Sequence, residues 1–161
     1  MWFNRRMSTK KPALSLSEYL PYRLAITSNR VSRMVARAYR ARFGLSIWEW
    51  RTLAILGEGR LITAQDLAEL AAMDKVAVSR AVKSLVESGL VERVVHEGDG
   101  RSRLLHLTAA GQDVYEDVAP MALTAEARLL EKLSPGERDQ LAGLLDKIRV
   151  SAQDLLDQSE G

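Results

Sequence analysis

A mainly α-helical fold carrying one small β-hairpin is what this sequence predicts, on three observations. Apolar residues recur at helical spacing through most of the 161 residues. Residues 90–107 instead read as strand, turn and strand, with Gly98, Asp99 and Gly100 at the tip. Just before this hairpin, two short helical patterns flank a three-residue turn. A helix-turn-helix followed by a hairpin is the order of a winged helix-turn-helix unit, here set between long helices.

Each element has a local reason. Residues 14–43 read as one long helix. Its residues Leu20, Leu24, Thr27, Val31, Met34 and Ala38 alternate at spacings of four and three, a heptad-like seam shaped for another helix. Pro21 falls near the start, where a proline is tolerated or marks a kink. Arg30, Arg33, Arg37 and Arg40 form a second stripe, read as a solvated or salt-bridged face with phosphate contact as the other option. Gly44 ends the helix. Ser46 caps a second helix over 47–56, and Glu49 completes a capping box. Leu61 and Ile62 form a short edge strand. Thr63 caps a helix over 64–71 with Asp66 as its box partner, and Asp74 caps the next, over 75–88, which Gly89 stops. Residues 90–96 and 103–107 are the strands. Thr108 caps a helix reaching residue 133, bent at Pro120. Ser134 and Pro135 open a last helix, whose apolar face is Leu141, Leu144, Leu145, Ile148 and Leu155.

Composition narrows the function classes. Hydrophobic residues make up 47% of the chain, enough for a core. The absence of cysteine excludes disulfides, cysteine-ligated zinc and thiol redox sensing. No apolar run is long enough for a membrane span, and the first residues lack a signal-peptide core, so a cytoplasmic protein with no membrane partner is expected. The net charge of +2 is unevenly spread. Residues 1–42 carry ten basic side chains against one acidic, residues 43–108 eight against nine, and residues 109–161 five against eleven. A basic beginning and an acidic end predict that the two ends pack together. The middle third is not basic in bulk, so any nucleic-acid contact there must come from a few placed cations.

The helix over 75–88 carries those cations. Val78, Val82, Leu85 and Val86 are its expected buried stripe, packed by Leu67, Leu70 and Ala71 of the preceding helix. Lys75, Val76, Ala77, Ser79, Arg80 and Lys83 then face outward. A major groove admits such a helix. Arg80 can offer a fork to guanine, Ser79 a hydroxyl to a base edge or phosphate, and Val76 and Ala77 a contact to a thymine methyl. Thr63 and Gln65 sit where a backbone phosphate could be bound. At the hairpin tip, Arg101 and Arg103 suit a narrow minor groove. Asp99, a poor phosphate partner, is expected to hold one of these arginines and so stabilise the wing.

The string DGRSRLLHLT at 99–108 resembles the wing signature of the MarR family of bacterial transcriptional regulators. FGLSIWEWRTLAIL at 43–56, the helix-turn-helix at 64–88 and LTAAG at 107–111 fall in the order of that family, and the resemblance covers roughly residues 15–158. It implies a homodimer in which residues 14–43 and 109–158 form the dimerisation region and residues 44–108 the winged helix-turn-helix DNA-binding domain, with 1–13 a disordered tail. Such a dimer reads a pseudo-palindromic operator in double-stranded DNA, with half-sites about one helical turn apart.

The resemblance also implies a small effector, frequently an aromatic carboxylate, bound between the dimerisation helices and the reading lobe, and a repressor that this ligand releases. Arg23, Ser28, Asn29, Trp48 and Arg51 are the candidates here. Trp48 could stack on a ring, and Arg51, three residues on, could pair with a carboxylate or with Glu49. For Trp48 and Trp50 a place in the core is the leading expectation. No cofactor, metal or enzymatic activity is expected. His96 and His106 stand on the hairpin, where a cross-strand pair could hold a metal, but no nucleophile accompanies them. A winged-helix protein–protein interaction module and a ligand-independent DNA-binding protein are the rival readings.

Overall fold

The computed structural model describes residues 14–96 and 99–159, with residues 96 and 99–102 described by backbone alone. The chain runs α1 (Leu20–Phe43), α2 (Ile47–Gly57), β1 (Ile62–Thr63), α3 (Ala64–Ala71), α4 (Lys75–Glu87), β2 (Val91–His96), β3 (Asp99–Leu107), α5 (Ala109–Leu129) and α6 (Pro135–Ser159). The three strands form one antiparallel sheet in the order β1-β3-β2. Among the described residues no helix is long and apolar enough to cross a membrane.

Most boundaries follow from local hydrogen bonding. Ser46 and Glu49 close a capping box on α2, and Thr63 and Asp66 do the same on α3. Asp74 Oδ1 accepts from Ala77 N at 2.7 Å to cap α4, and Thr108 Oγ1 accepts from Gly111 N to cap α5. Ser134 and Glu137 exchange the equivalent bonds ahead of α6. The turn of the helix-turn-helix is closed by Met73 N donating to Ala68 O and Ala72 N to Glu69 O. This places Ala72 in the left-handed region at φ 49°, at a cost of roughly 1 kcal/mol for a residue with a Cβ.

Several expectations are corrected. The first helix begins at Leu20, not at residue 14; Pro21 sits in its first turn, where its missing N–H leaves no bond unmade. The fifth helix ends at Leu129, not at 133. There Leu133 N folds back to Leu130 O, and Arg138 donates to the carbonyls of Leu130 and Leu133. The second hairpin strand begins at Asp99 rather than at 103, and the short edge strand is Ile62–Thr63. Leu70 and Val86 are exposed rather than buried. In α4 the buried stripe is Val78, Ala81, Val82 and Leu85, at i, i+3, i+4 and i+7. Val86 lies about 80° round the helix from Val78, off that face.

The core lies where α2, α3, α4 and the sheet meet the end of α1 and the middle of α5. Tyr39, Leu53, Leu67, Leu85, Leu105 and Val118 are its largest fully enclosed side chains. Trp50 stacks on Tyr115 of α5 and leans on Tyr39 of α1, so it binds three helices together. Arg42 of α1 meets Asp117 of α5 at 3.1 Å, in the sense of the charge asymmetry between the chain's ends. α6 has no buried residue, and its Leu141, Leu144, Leu145 and Ile148 are all exposed.

Candidate nucleic-acid interface

The helix-turn-helix and the hairpin share one strand. β3 pairs with β1 through Ile62↔Leu105 and Thr63↔Leu104, and with β2 through Val91↔Leu107 to Val95↔Arg103. Because Thr63 is both a strand residue and the N-cap of α3, the base of the hairpin is fixed against the start of the helix pair.

That arrangement creates a groove of about 540 Å³ between α4 and the hairpin. Thr63, Gln65, Lys75, Ser79 and Arg103, five of the candidate DNA-contacting residues, line it, and Arg93 joins them. Arg93 was not foreseen. A single arginine in a strand carries no local signal; it reaches the groove because the register sets it opposite Leu105. The groove therefore holds three cations and no acidic side chain among its lining residues, with hydroxyls and an amide between them. This is a surface that can accept the oxygens of a phosphate backbone. Thr63 donates to Asp66 Oδ2 at 2.8 Å, and these bonds hold the exposed Asp66 carboxyl below its ordinary pKa.

The other outward residues of α4 turn toward α2. Val76, Ala77 and Arg80 line a second cleft, of about 700 Å³, with Trp48, Glu49 and Ser84. Ala77 departs from the expectation of a fully outward residue: it is half-buried and packs against the core. Val76 and Arg80 are exposed, and among the described residues no carboxylate lies within salt-bridge distance of Arg80. Lys83, a turn further on, reaches Glu87 at 3.8 Å. The side chains of Asp99 and Arg101 lie outside the described residues.

Glu49 ties α4 to α2. One carboxylate oxygen accepts from Ser84 Oγ in the last turn of α4, and the other from Ser46 N at 2.6 Å. Burial pushes the carboxyl up, but the hydrogen bonds from Ser84 and Ser46 together outweigh it and hold the pKa below the ordinary value. Position along α4 is thus set by a charge-assisted bond rather than by apolar contact alone.

A third cleft, of about 610 Å³, opens between α1 and α2. Ser28, Asn29, Trp48 and Arg51 line it together; Arg23 does not, because it lies more than a turn nearer the start of α1. Arg33 and Arg40 line it instead, two members of the stripe expected to be a solvated face. Trp48 is 41% exposed and is a cleft wall, whereas Trp50, on the other side of α2, is the packed one. Arg51 does not pair with Glu49. Its guanidinium stands 5.2 Å over the Trp48 ring, and Nη1 donates to Ala71 O at the end of α3. Behind this wall, burial pushes the Tyr39 phenol up against the weaker opposing pull of Arg51 and Arg40. The strand register sets His106 opposite Glu92, with Nε2 3.4 Å from its carboxylate, and the backbone of His96 opposite Asp99, so the two histidines are not cross-strand partners. Among the described residues no three potential metal ligands come together.

Known proteins share this geometry. A solved MarR/EmrR-family transcriptional regulator from Acinetobacter sp. ADP1 superposes with a TM-score of 0.81 at 30% identity, covering 88% of this chain and 99% of that one. A MarR-family regulator from Silicibacter pomeroyi is 34% identical with a TM-score of 0.71, covering 84% and 99%. The chain belongs to the MarR family. Its family pattern matches residues 43–102, which span α2, the helix-turn-helix and the hairpin up to the tip. Among curated proteins, a transcriptional repressor of Mycobacterium tuberculosis is 26% identical over 130 residues, covering 81% of this chain and 91% of that one. MarR-family proteins of this kind are DNA-binding transcriptional regulators, not enzymes.

Proposed function

We propose that this MarR-family regulator acts as a homodimeric, sequence-specific repressor that a small aromatic carboxylate releases from DNA. The observation that carries the DNA half of this reading is the groove in which Lys75, Arg93 and Arg103 stand around Thr63, Gln65 and Ser79. Phosphate oxygens fill it, Arg80 reads a base edge beside it, and Arg101 continues the contact along the wing. Dimerisation is supported by the exposed apolar residues at the start of α1 and along α6, which one chain alone leaves in water. α1, α5 and α6 then form the dimerisation region around the reading lobe of residues 44–108. The cleft between α1 and α2 adjoins both parts, so an occupant bearing on Trp48 and Arg51 changes the distance between two recognition helices. It acts only through its differential affinity for the two spacings.

The test starts with selection of bound duplexes from random DNA, followed by titrations at several salt concentrations. Arg80→Ala is expected to cost about 1–3 kcal/mol and to relax specificity at one base position. Arg93→Ala should weaken all duplexes alike and reduce the salt slope by about one. A protein with no salt-dependent affinity for any duplex would refute the DNA reading.

A further inference from the structure

We propose that the cleft between α1 and α2 takes an aromatic ligand carrying at least two acidic groups. This rests on the effector reading above and narrows it. The cleft gathers Arg33 and Arg40 from α1 and Arg51 from α2, and none of its lining residues is acidic. Ser28, Asn29 and Ser32 supply neutral polar groups on the same wall. Its volume of about 610 Å³ lies within the range of small-molecule sites.

The guanidiniums are only partly engaged by the protein. Arg33 uses Nε on Asn29 O at 3.3 Å, and Arg51 uses Nη1 on Ala71 O at 3.4 Å. Both leave most of a five-donor fork for another partner. Among the described residues Arg40 has no carboxylate within salt-bridge distance, whereas Arg42, two residues on, has Asp117. The same helix therefore pairs one arginine internally and leaves the cleft arginines without a counter-charge.

The neighbouring cleft sharpens the contrast. It shares Trp48 as a wall, but there Arg80 stands among Glu49 and Asp74, so both signs of charge are present. The excess of positive charge belongs to the α1 side alone. A single carboxylate engages one guanidinium in a bidentate pair and leaves two cations in the cleft without a counter-charge. A second acidic group on the same ring removes that repulsion. The exposed indole supplies the flat apolar wall that a ring stacks on and that a phosphodiester does not need.

The experiment uses the full chain and three probes that share one ring: benzoate, isophthalate and trimesate, with one, two and three carboxylates. Binding is measured by calorimetry at constant ionic strength, and by tryptophan emission in the wild type and in Trp48→Phe. Isophthalate is expected to bind at least about tenfold more tightly than benzoate. It should quench an emission that Trp48→Phe lacks. The double variant Arg33→Gln/Arg40→Gln, which leaves one guanidinium in the cleft, should bring isophthalate to the level of benzoate without changing the melting curve, since both side chains are exposed. Equal affinity for all three probes overturns the proposal and leaves the aromatic-carboxylate effector standing. Binding of none, by protein that still melts cooperatively, overturns both. Loss of DNA affinity and of salt slope in Arg33→Gln, without discrimination among the probes, assigns these arginines to phosphate contact and also overturns it.

Discussion

Gly111 brings the start of α5 into close contact with the backbone of Leu90. A Cβ added there would lie 1.9 Å from the Leu90 carbonyl oxygen and 2.9 Å from its carbon, and both neighbours are backbone. Gly111→Ala must therefore drive the start of α5 away from Leu90 by about 1 Å. Two bonds span that junction: Thr108 N donates to Leu90 O at 3.1 Å, and Thr108 Oγ1 donates to Gly89 O at 2.6 Å. Their loss costs about 0.5–1.5 kcal/mol each, and the overpacking itself about 1–3 kcal/mol. The better helix propensity of alanine returns about 1 kcal/mol. The net destabilisation is about 1–5 kcal/mol, read as a fall in Tm of roughly 2–20 °C for a chain of this size. Thermal and urea unfolding at one fixed protein concentration measure it, because the proposed dimerisation would make stability concentration-dependent. Gly143→Ala in α6, where a Cβ meets nothing within 4 Å, is the control and should gain up to about 1 kcal/mol. If the two variants behave alike, the close approach of α5 to Leu90 does not constrain the fold and the argument fails.

Two further outcomes follow from the contacts described. Glu49 has a lowered pKa in the folded state, so its contribution is complete above the unfolded value near 4.3 and is lost as pH falls through the folded value. Glu49→Gln should cost about 1–2 kcal/mol in urea unfolding at neutral pH and progressively less in acid; an equal loss at every pH would show that the charge is irrelevant. Leu145→Glu on α6 removes about 1.5–3 kcal/mol of apolar burial per copy, which a two-fold interface counts twice. The dimer dissociation constant should then rise by at least about a hundredfold in sedimentation equilibrium; an unchanged constant would place the interface elsewhere.

Local chemistry was legible in the sequence, and long-range placement was not. The caps at Ser46, Thr63, Asp74, Thr108 and Ser134 each depend on a bond to a residue three positions away, so they could be read one by one. The placement of Lys75, Ser79 and Arg103 on an outer surface was legible for the same reason: helical phase and hairpin order set their direction. Leu70 and Val86 misled because an apolar residue at the edge of a stripe is buried only if a neighbour covers it. Trp48 and Trp50 are two residues apart on α2, and only the position of Tyr39 and Tyr115 decides which one is packed. Arg33 and Arg40 belong to a regular stripe, and nothing in α1 itself marks that α2 closes over two of its four members. Arg93 needed the strand register, and Arg51 needed the end of α3.

The strand shared by hairpin and helix pair has a mechanical consequence. β3 is bonded on one side to the residue that starts α3 and on the other to the whole length of β2. On the proposed reading, a lobe joined in this way links the part that would enter one groove directly to the part that would reach the next, through one shared strand. Its two contacts with DNA would then be fitted or lost together, like the teeth of one comb. A signal from the α1–α2 cleft of the proposed dimer would be carried as the pitch between two combs, and a small error in that pitch would be felt at every tooth.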